Sequence, residues 1–272
     1  MGYDFSSDLE PRRLESAFAQ ERMPRVQRFA TPIHRLVRSA FLRLGYDIRR
    51  VNPDGFGQDP FLDMYRLAGS AERPVVFDVG SNIGETVFSF RKHFQSPVIH
   101  AFEPSPSTFE LLKKKAMGVP DLYLNNFALG SRAERKVLLE NSDSRLSSLL
   151  EPGKDCWGEI VTNTAVDVET LDGYCDREGV SRIDVLKVDT QGLDYAVLQG
   201  GLQMLKHHRV RLVFIELIFS DLYLGQAPFE DIYSFLKNLG FVPVWLYDLA
   251  YHKNRLGWAD GLFMDPEVRA ED

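Results

Sequence analysis

The sequence predicts an α/β fold, with a mostly parallel, doubly wound sheet, an antiparallel last strand and a helical N-terminal extension. Three observations lead to this prediction. From residue 75 onward, short apolar runs alternate with helical stretches of about a dozen residues, as in strands joined by crossover helices. Residues 75–104 place a glycine turn between an apolar run and a helix. The composition, 44% hydrophobic and 26% charged, is typical of a globular protein.

The first element is a basic helical extension, predicted to occupy residues 1–57, while residues 58–272 form the main domain. Residues 22–50 carry eight arginines and one acid, a net charge of +7 in a chain whose total is −7. Six apolar residues recur there at helical spacing, namely Ile33, Leu36, Val37, Ala40, Phe41 and Leu44. Such a helix packs on its own domain, forms a homodimer contact or lies on a membrane surface, and the sequence leaves these alternatives open.

The glycine turn follows a strand at residues 75–77 that leads into Asp78. Gly80 and Gly84 bracket the turn, where the backbone can approach a ligand and the N–H groups of the next helix attract its oxygens. Glu103 follows Gly84 by 19 positions and ends the second apolar run, where a carboxylate can accept hydrogen bonds from both hydroxyls of a ribose. The spacing Gly-x-x-x-Gly lacks the pyrophosphate fingerprint of dinucleotide enzymes. A ribose-bearing cofactor without pyrophosphate is therefore expected.

The remaining elements continue the alternation of strands and helices. Further helices are predicted over residues 61–69, 108–117, 193–205 and 228–240, and further strands over 98–102, 122–129, 183–190, 211–217, 241–249 and 261–266. The last two strands, separated by residues 250–260, are expected to form an antiparallel pair at one end of the sheet.

Six short motifs occur in order along residues 74–264: DVGSNIG, FEPSP, NFALG, VETLD, DVLKVDTQG and VFIEL. In this order they resemble the FkbM family of S-adenosylmethionine-dependent methyltransferases. The resemblance implies a Rossmann-like class I methyltransferase fold and S-adenosyl-L-methionine as the cofactor. It also implies O-methylation of a small-molecule acceptor, at a hydroxyl of a sugar or natural product.

The same resemblance assigns cofactor-binding residues. The first motif is implied to surround the methionine part of the cofactor, Glu103 to hold the ribose, and the end of the third strand to line the adenine. These residues are Asp78, Gly80, Ser81, Asn82, Gly84, Glu103, Asn126, Phe127 and Ala128. A small polar segment is implied to order a loop near the acceptor, and it contains Ser144, Ser147 and Ser148.

Three residues are candidates for the catalytic base. Asp189 and Glu216 end two buried strands, and the carboxyl ends of parallel strands face the ligand crevice. A carboxylate there can take the proton of an alcohol, bind a substrate hydroxyl or share a divalent metal ion. His252, in the loop expected between the last two strands, is the third candidate. Gln191 stands where the family usually has an acid, and Asp194 replaces a glutamate, so the resemblance does not choose among them.

Composition disfavours several classes of protein. The chain has no apolar run of about 18 residues and no secretory signal pattern at its N-terminus, so a cytoplasmic location is expected. The two cysteines, Cys156 and Cys175, do not match a zinc motif. The acidic composition, with a pI near 5.5, makes nucleic acid an unfavourable partner. A nicotinamide-dependent oxidoreductase and a non-catalytic nucleoside-binding protein remain as alternative functions.

Overall fold

The computed structural model describes residues 32–44, 55–68 and 71–268. The chain divides into two compact units, residues 1–54 and residues 55–272. The first unit contains helix α1 (Pro32–Arg43), which confirms the predicted amphipathic helix. The rest of the basic segment lies outside the described residues, so its proposed dimer and membrane contacts stay predictions, as does the boundary after residue 57. Within the described part of the chain, every helix is too short or too polar to cross a bilayer.

The second unit contains ten strands and seven α-helices among its described residues. The strands are β1 (Val75–Val79), β2 (Val98–Phe102), β3 (Leu122–Asn125), β4 (Ala128–Leu129), β5 (Glu134–Asn141), β6 (Ile160–Glu169), β7 (Ile183–Val188), β8 (Val210–Ile218), β9 (Val242–His252) and β10 (Arg255–Met264). The helices are α2 (Pro60–Ala68), α3 (Glu85–His93), α4 (Pro106–Lys115), α5 (Leu171–Glu178), α6 (Asp194–Gly200), α7 (Leu202–Lys206) and α8 (Phe229–Asn238).

Seven strands form the large sheet in the order β3-β2-β1-β7-β8-β10-β9. The first five in this order are parallel, and β10 runs antiparallel to both of its neighbours. This confirms the predicted doubly wound sheet with an antiparallel strand near one end. The chain order reverses direction at β1, which lies between β2 and β7. Ligands of open α/β sheets bind in the crevice at such a switch point, beyond the carboxyl ends of the strands.

Apolar side chains cover both faces of the large sheet, because successive residues of a strand point to opposite faces. Phe77 and Leu186 belong to a core that includes residues of α5 and α8. Val76 and Val185 belong to a second core with residues of α2 and α3. All four are fully buried, and each such side chain contributes about 1.5–3 kcal/mol through its removal from water.

A second sheet, of three strands in the order β4-β6-β5, was not predicted. The single strand expected over residues 122–129 is wrong, because its two ends belong to different sheets. Its first half is β3 in the large sheet, and its second half is β4, which pairs with β6. Most side chains of β6 are exposed, so the sequence lacks the apolar run by which buried strands are recognised.

Two further predictions are corrected by local geometry. The helix expected over residues 193–205 is broken into α6 and α7 at Gly201. The preceding Gly200 ends α6 against the chain after β4, where a Cβ atom would lie 2.0 Å from the carbonyl oxygen of Gly130. The loop expected over residues 250–260 is instead part of a long hairpin between β9 and β10. Lys253 and Asn254 form its turn, with φ angles of 48° and 62°, which match a two-residue hairpin turn.

We expect Gly80→Ala to lower the free energy of unfolding by about 2 kcal/mol more than Gly118→Ala does. Both glycines have positive φ, 81° and 78°, so both substitutions strain the backbone. Only at Gly80 would the added Cβ meet another group, the carbonyl oxygen of Asp189 at 1.9 Å, whereas no atom lies within 4 Å at Gly118. Urea unfolding of the two variants measures the difference. Equal losses of stability would contradict the close approach of β1 to β7.

Candidate active site

A cavity of about 500 Å³ opens at the carboxyl ends of β1, β2, β7 and β8. The structure brings most of the predicted site residues together there. Those that line the cavity are Gly80, Ser81, Asn82, Glu103, Phe127, Ala128, Ser144, Ser147, Ser148, Asp189 and Glu216. Four predicted residues, Asp78, Gly84, Asn126 and His252, do not line it. The role of each residue stays a prediction. The structure does separate the residues that line the cavity from those that lie behind its lining.

The glycine turn is held by backbone hydrogen bonds to the end of β2. The N–H groups of Gly80 and Ser81 both donate to the carbonyl oxygen of Phe102, at 3.0 and 2.9 Å. Gly84, with φ of 91°, is the residue before α3. Asn82 is also in the left-handed region, with φ of 47°. The turn therefore presents its backbone to the cavity while both of its ends are fixed.

Asp78 lies beneath this turn, fully buried, and Lys187 of β7 is its partner. The hydroxyl of Thr86 donates to Asp78 Oδ2 at 2.5 Å, and Lys187 Nζ lies 3.1 Å from Oδ1. Lys187 Nζ also donates to the carbonyl oxygen of Gly80 at 2.9 Å and lies 3.5 Å from Asp189. Burial opposes the charged lysine, but the charges of Asp78 and Asp189 keep the pKa of Lys187 above its usual value. Asp78 therefore supports the turn from below.

Glu103 is buried at the end of β2, and each of its carboxylate oxygens accepts one backbone hydrogen bond. The N–H of Asn82 donates to Oε2 at 2.9 Å and the N–H of Ser105 to Oε1 at 2.8 Å. Burial raises the pKa of Glu103 to about 7, although these two hydrogen bonds favour the ionised form. Each ionised oxygen has a second lone pair, so the carboxylate can also accept two hydroxyl groups.

The residues after β3 have different roles. The side-chain Nδ2 of Asn126 donates to the carbonyl oxygens of Glu103 and Pro104, at 2.9 and 3.2 Å, so Asn126 holds the chain that carries the carboxylate. Phe127 lines the cavity and packs edge-on against Phe102, with ring centroids 5.7 Å apart. It therefore offers one surface to a ligand while belonging to the core.

The two carboxylates predicted at the ends of β7 and β8 are joined by one side chain. Nε2 of Gln191 donates to Asp189 Oδ1 at 2.7 Å and to Glu216 Oε2 at 3.2 Å. Burial and the neighbouring charges of Asp189, Asp194 and Asp260 raise the pKa of Glu216 well above its usual value. The Asp189 side chain is 40% exposed, so its carboxylate is accessible from the cavity.

Sequence reasoning missed Asp260, which stands directly opposite Glu216 on β10. Burial and the charge of Asp189 raise the pKa of Asp260 to about 7. Its position depends on the register of a hairpin that was predicted as a loop. The one local indication in the sequence is that the acidic Asp260 directly precedes the apolar run of residues 261–264.

His252 is the last residue of β9, so its expected position in a loop is wrong. Its ring stacks on Trp157, with centroids 6.1 Å apart, and its Nε2 lies 3.8 Å from Asp155 Oδ1. Trp157 lines the cavity together with Trp258, and their ring centroids are 5.7 Å apart. His252 therefore supports this aromatic wall, which the sequence did not predict because Trp157 precedes an unpredicted strand.

Asp155 is a buried carboxylate that ties the loop before Trp157 to the β9–β10 hairpin. Lys253 Nζ donates to Oδ1 at 2.8 Å and Arg255 Nη2 to Oδ2 at 2.5 Å. The hydrogen bond from Lys253 and that from Arg255 hold the pKa of Asp155 well below its usual range. The ion pairs keep the aromatic wall in place against the turn of the hairpin.

Among residues 32–44, 55–68 and 71–268, no group of three or more His, Cys, Asp or Glu side chains is arranged to hold a metal ion. The divalent metal considered for Asp189 and Glu216 therefore has two carboxylates as its candidate ligands. Small oxygen-bound cations keep several waters when so few protein ligands are present.

Residues 78–243 match the family model of the Methyltransferase FkbM domain. The matched segment begins at the end of β1 and ends in β9. It therefore includes the glycine turn, Glu103, both carboxylates and the second sheet.

Curated relatives share low identity over most of their length. The 2-O-methyltransferase NoeI of Sinorhizobium fredii is 24% identical over 180 residues, 62% of this chain and 73% of that protein. The 31-O-demethyl-FK506 methyltransferase FkbM of Streptomyces tacrolimicus is 28% identical over 218 residues, 66% of this chain and 78% of that protein. Among solved structures, an rRNA methylase from Streptococcus thermophilus aligns with a TM-score of 0.44 at 11% identity, covering 74% of this chain and 91% of that chain.

We expect Glu103→Gln to remove a pH dependence of folding stability. The pKa of Glu103 is about 7 when folded and near 4.5 when unfolded, so its contribution is full below pH 4.5 and is lost as pH rises through 7. Glutamine stays neutral, so the variant should gain about 2–3 kcal/mol relative to the native chain between pH 5 and pH 8. Urea unfolding of both proteins at pH 5 and at pH 8 measures this change. A hydrogen bond lost equally at both pH values cancels when the two differences in stability are compared.

Glu72→Gln is the control, because Glu72 is exposed in the loop before β1. It removes the same charge without removing a buried carboxyl group, so its stability should follow that of the native chain at both pH values. If the stability of Glu103→Gln changed with pH in the same way as that of the native chain, the raised pKa of Glu103 would be disproved.

Proposed function

The chain belongs to the FkbM methyltransferase domain family, and on this basis we propose that it is an S-adenosylmethionine-dependent O-methyltransferase whose acceptor is a hydroxyl of a sugar or natural product. The observation that carries the proposal is one cavity with Glu103 at one end and the Asp189–Glu216 pair at the other. The names of two relatives, a 2-O-methyltransferase and a 31-O-demethyl-FK506 methyltransferase, favour oxygen as the methylated atom.

The residues of the cavity fit the cofactor. When bound, S-adenosylmethionine supplies a methyl group on a positively charged sulfur. Glu103 would accept hydrogen bonds from the ribose hydroxyls through the lone pairs that Asn82 and Ser105 leave free. The turn at Gly80 and Ser81 would hold the methionine part, and Phe127 with Ala128 would pack on the adenine. The volume of about 500 Å³ falls in the usual range for sites of small molecules and cofactors.

The chain's own contribution to methyl transfer would be to orient the acceptor and to take its proton. Asp189 is the proposed base, because it lines the cavity and 40% of its side chain is exposed. Glu216, whose raised pKa favours the protonated form, would hydrogen-bond the acceptor and fix its position. Trp157 and Trp258 would form the wall against which an acceptor ring packs, and they also reduce access of water.

The two alternative functions are less well supported. An oxidoreductase needs a site for a pyrophosphate, and the turn has the spacing Gly80-x-x-x-Gly84 rather than the dinucleotide pattern. A non-catalytic nucleoside-binding protein would need no carboxylate pair opposite the ribose site. The pair of Asp189 and Glu216 therefore favours catalysis.

The first test is titration calorimetry with S-adenosylmethionine, S-adenosylhomocysteine and NAD(H). We expect both sulfur nucleosides to bind and NAD(H) not to bind. Glu103→Ala should weaken their binding at least about tenfold, because two hydrogen bonds to a charged group are lost. Glu72→Ala, at an exposed position, serves as the control and should bind like the native chain. Preference for NAD(H), or no binding of either nucleoside, would reject the proposal.

Asp189→Asn tests the base. We expect kcat to fall by about 10²–10⁴ while the affinity for S-adenosylhomocysteine stays close to native, because the variant keeps the shape of the side chain but accepts no proton. Transfer of a labelled methyl group to a panel of sugar and natural-product alcohols identifies an acceptor for the assay. Asp176→Asn, an exposed change on α5, should leave kcat unchanged. A kcat of Asp189→Asn equal to that of the native chain would show that Asp189 is not the base.

A further inference from the structure

Gln191 has a fixed conformation just after β7. Its backbone is left-handed, with φ of 56°, and its carbonyl oxygen accepts a hydrogen bond from the hydroxyl of Ser148 at 2.7 Å. The side-chain Oε1 accepts a hydrogen bond from the hydroxyl of Tyr223 at 2.8 Å. The adjacent Gly192 packs against the same tyrosine ring, where a Cβ atom would lie 3.0 Å from Cδ2. The backbone of Gln191 is therefore held by Ser148 and its side chain by Tyr223.

The chemistry of the neighbours sets the orientation of the amide. An ionised carboxylate only accepts hydrogen bonds, so the NH₂ group faces Asp189, the nearer of its two carboxyl partners. Burial and neighbouring groups raise the pKa of Tyr223 well above its usual value, so its hydroxyl keeps the proton that it donates to the amide oxygen. The contacts of Gln191 are consistent with this single orientation.

The Nε2 atom of Gln191 lies where a cation shared by the two carboxylates would be. It is 2.7 Å from one oxygen of Asp189 and 3.2 Å from one oxygen of Glu216. Two carboxylates from adjacent strand ends are the kind of donor set that binds Mg²⁺ or Mn²⁺ together with water. A cation in this position would have to displace the amide and break its hydrogen bonds to both carboxylates.

We propose that the amide of Gln191 replaces a divalent cation between Asp189 and Glu216, so that this end of the cavity is independent of metal. The partial positive charge of the NH₂ group holds the two carboxylates together without a metal ion. This deepens the proposed function, on which its consequence for the substrate rests. An acceptor hydroxyl is bound by the carboxylates themselves, so the acceptor does not need two neighbouring oxygens to chelate a cation.

Gln191→Glu is the variant that tests the proposal. It replaces the donor with a third carboxylate beside Asp189 and Glu216, which recreates a need for a cation. Binding of Mn²⁺ to the full chain is measured by electron paramagnetic resonance at pH 8, because carboxyl ligands must be deprotonated. We expect no binding by the native chain up to about 1 mM, and binding by the variant at about 10⁻⁴ M or tighter. Mn²⁺ should also raise the melting temperature of the variant alone.

Gln203→Glu is the matched control, since it adds the same charge at an exposed position on α7 and should not bind Mn²⁺. Gln191→Ala provides a second test if the glutamate variant does not fold. It removes the amide without adding charge, and it should bind Mn²⁺ at least about tenfold more tightly than the native chain does, because the position between two carboxylates is open.

Two outcomes would overturn the proposal: Mn²⁺ binding by the native chain as tight as that of Gln191→Glu, or no gain of Mn²⁺ binding in either variant at Gln191. These measurements use no cofactor or acceptor. A native chain that fails to bind S-adenosylhomocysteine while Gln191→Glu gains Mn²⁺ binding would reject the proposed function and support the amide bridge. Normal cofactor binding without any gain of Mn²⁺ binding would support the proposed function and reject the replacement of a cation by the amide.

Discussion

The architecture of the site depends on one buried cation, Lys187. Its ammonium group lies within 3.5 Å of Asp78 and Asp189 and donates to the carbonyl oxygen of Gly80. Removing a lysine from water is costly, and loss of one partner from a buried ion pair costs about 3–5 kcal/mol because the other charge is left uncompensated. The lysine therefore holds β1 and β7 together where the order of strands reverses, at the point from which the cavity opens.

Two ends of the cavity depend on this lysine in different ways. On the β1 side, it fixes the turn whose Asn82 N–H donates to Glu103, the carboxylate proposed to hold the ribose. On the β7 side, its positive charge lies 3.5 Å from Asp189 and opposes the burial and the like charges that raise the pKa values of Glu216 and Asp260. The β1 end of the cavity is thus held by backbone hydrogen bonds, while the β7 end brings together the carboxyl groups of Asp189, Glu216 and Asp260.

The sequence predicted well what local patterns determine. The strand, glycine turn, helix and acid of residues 75–104 are adjacent in the chain, so spacing alone placed Gly80 and Glu103 at one cavity. Asp189 and Glu216 were found because each comes at the end of a strongly apolar run in the sequence. Asp260 and Trp157 were missed because their places depend on hairpin register and on β6, whose largely exposed residues carry no apolar run. Pairing between distant segments is not visible in a single sequence.

The ion pairs of Asp155 with Lys253 and Arg255 have a consequence for how the proposed acceptor site of this chain can be altered. They join the loop before Trp157 to the β9–β10 hairpin. Trp157 and Trp258 belong to these two joined segments, whereas Glu103 and the glycine turn do not. Under the proposed function, the acceptor would contact these tryptophans and the methyl donor would contact Glu103 and the turn, so substitutions in the two joined segments would change the choice of acceptor while leaving the cofactor site in place.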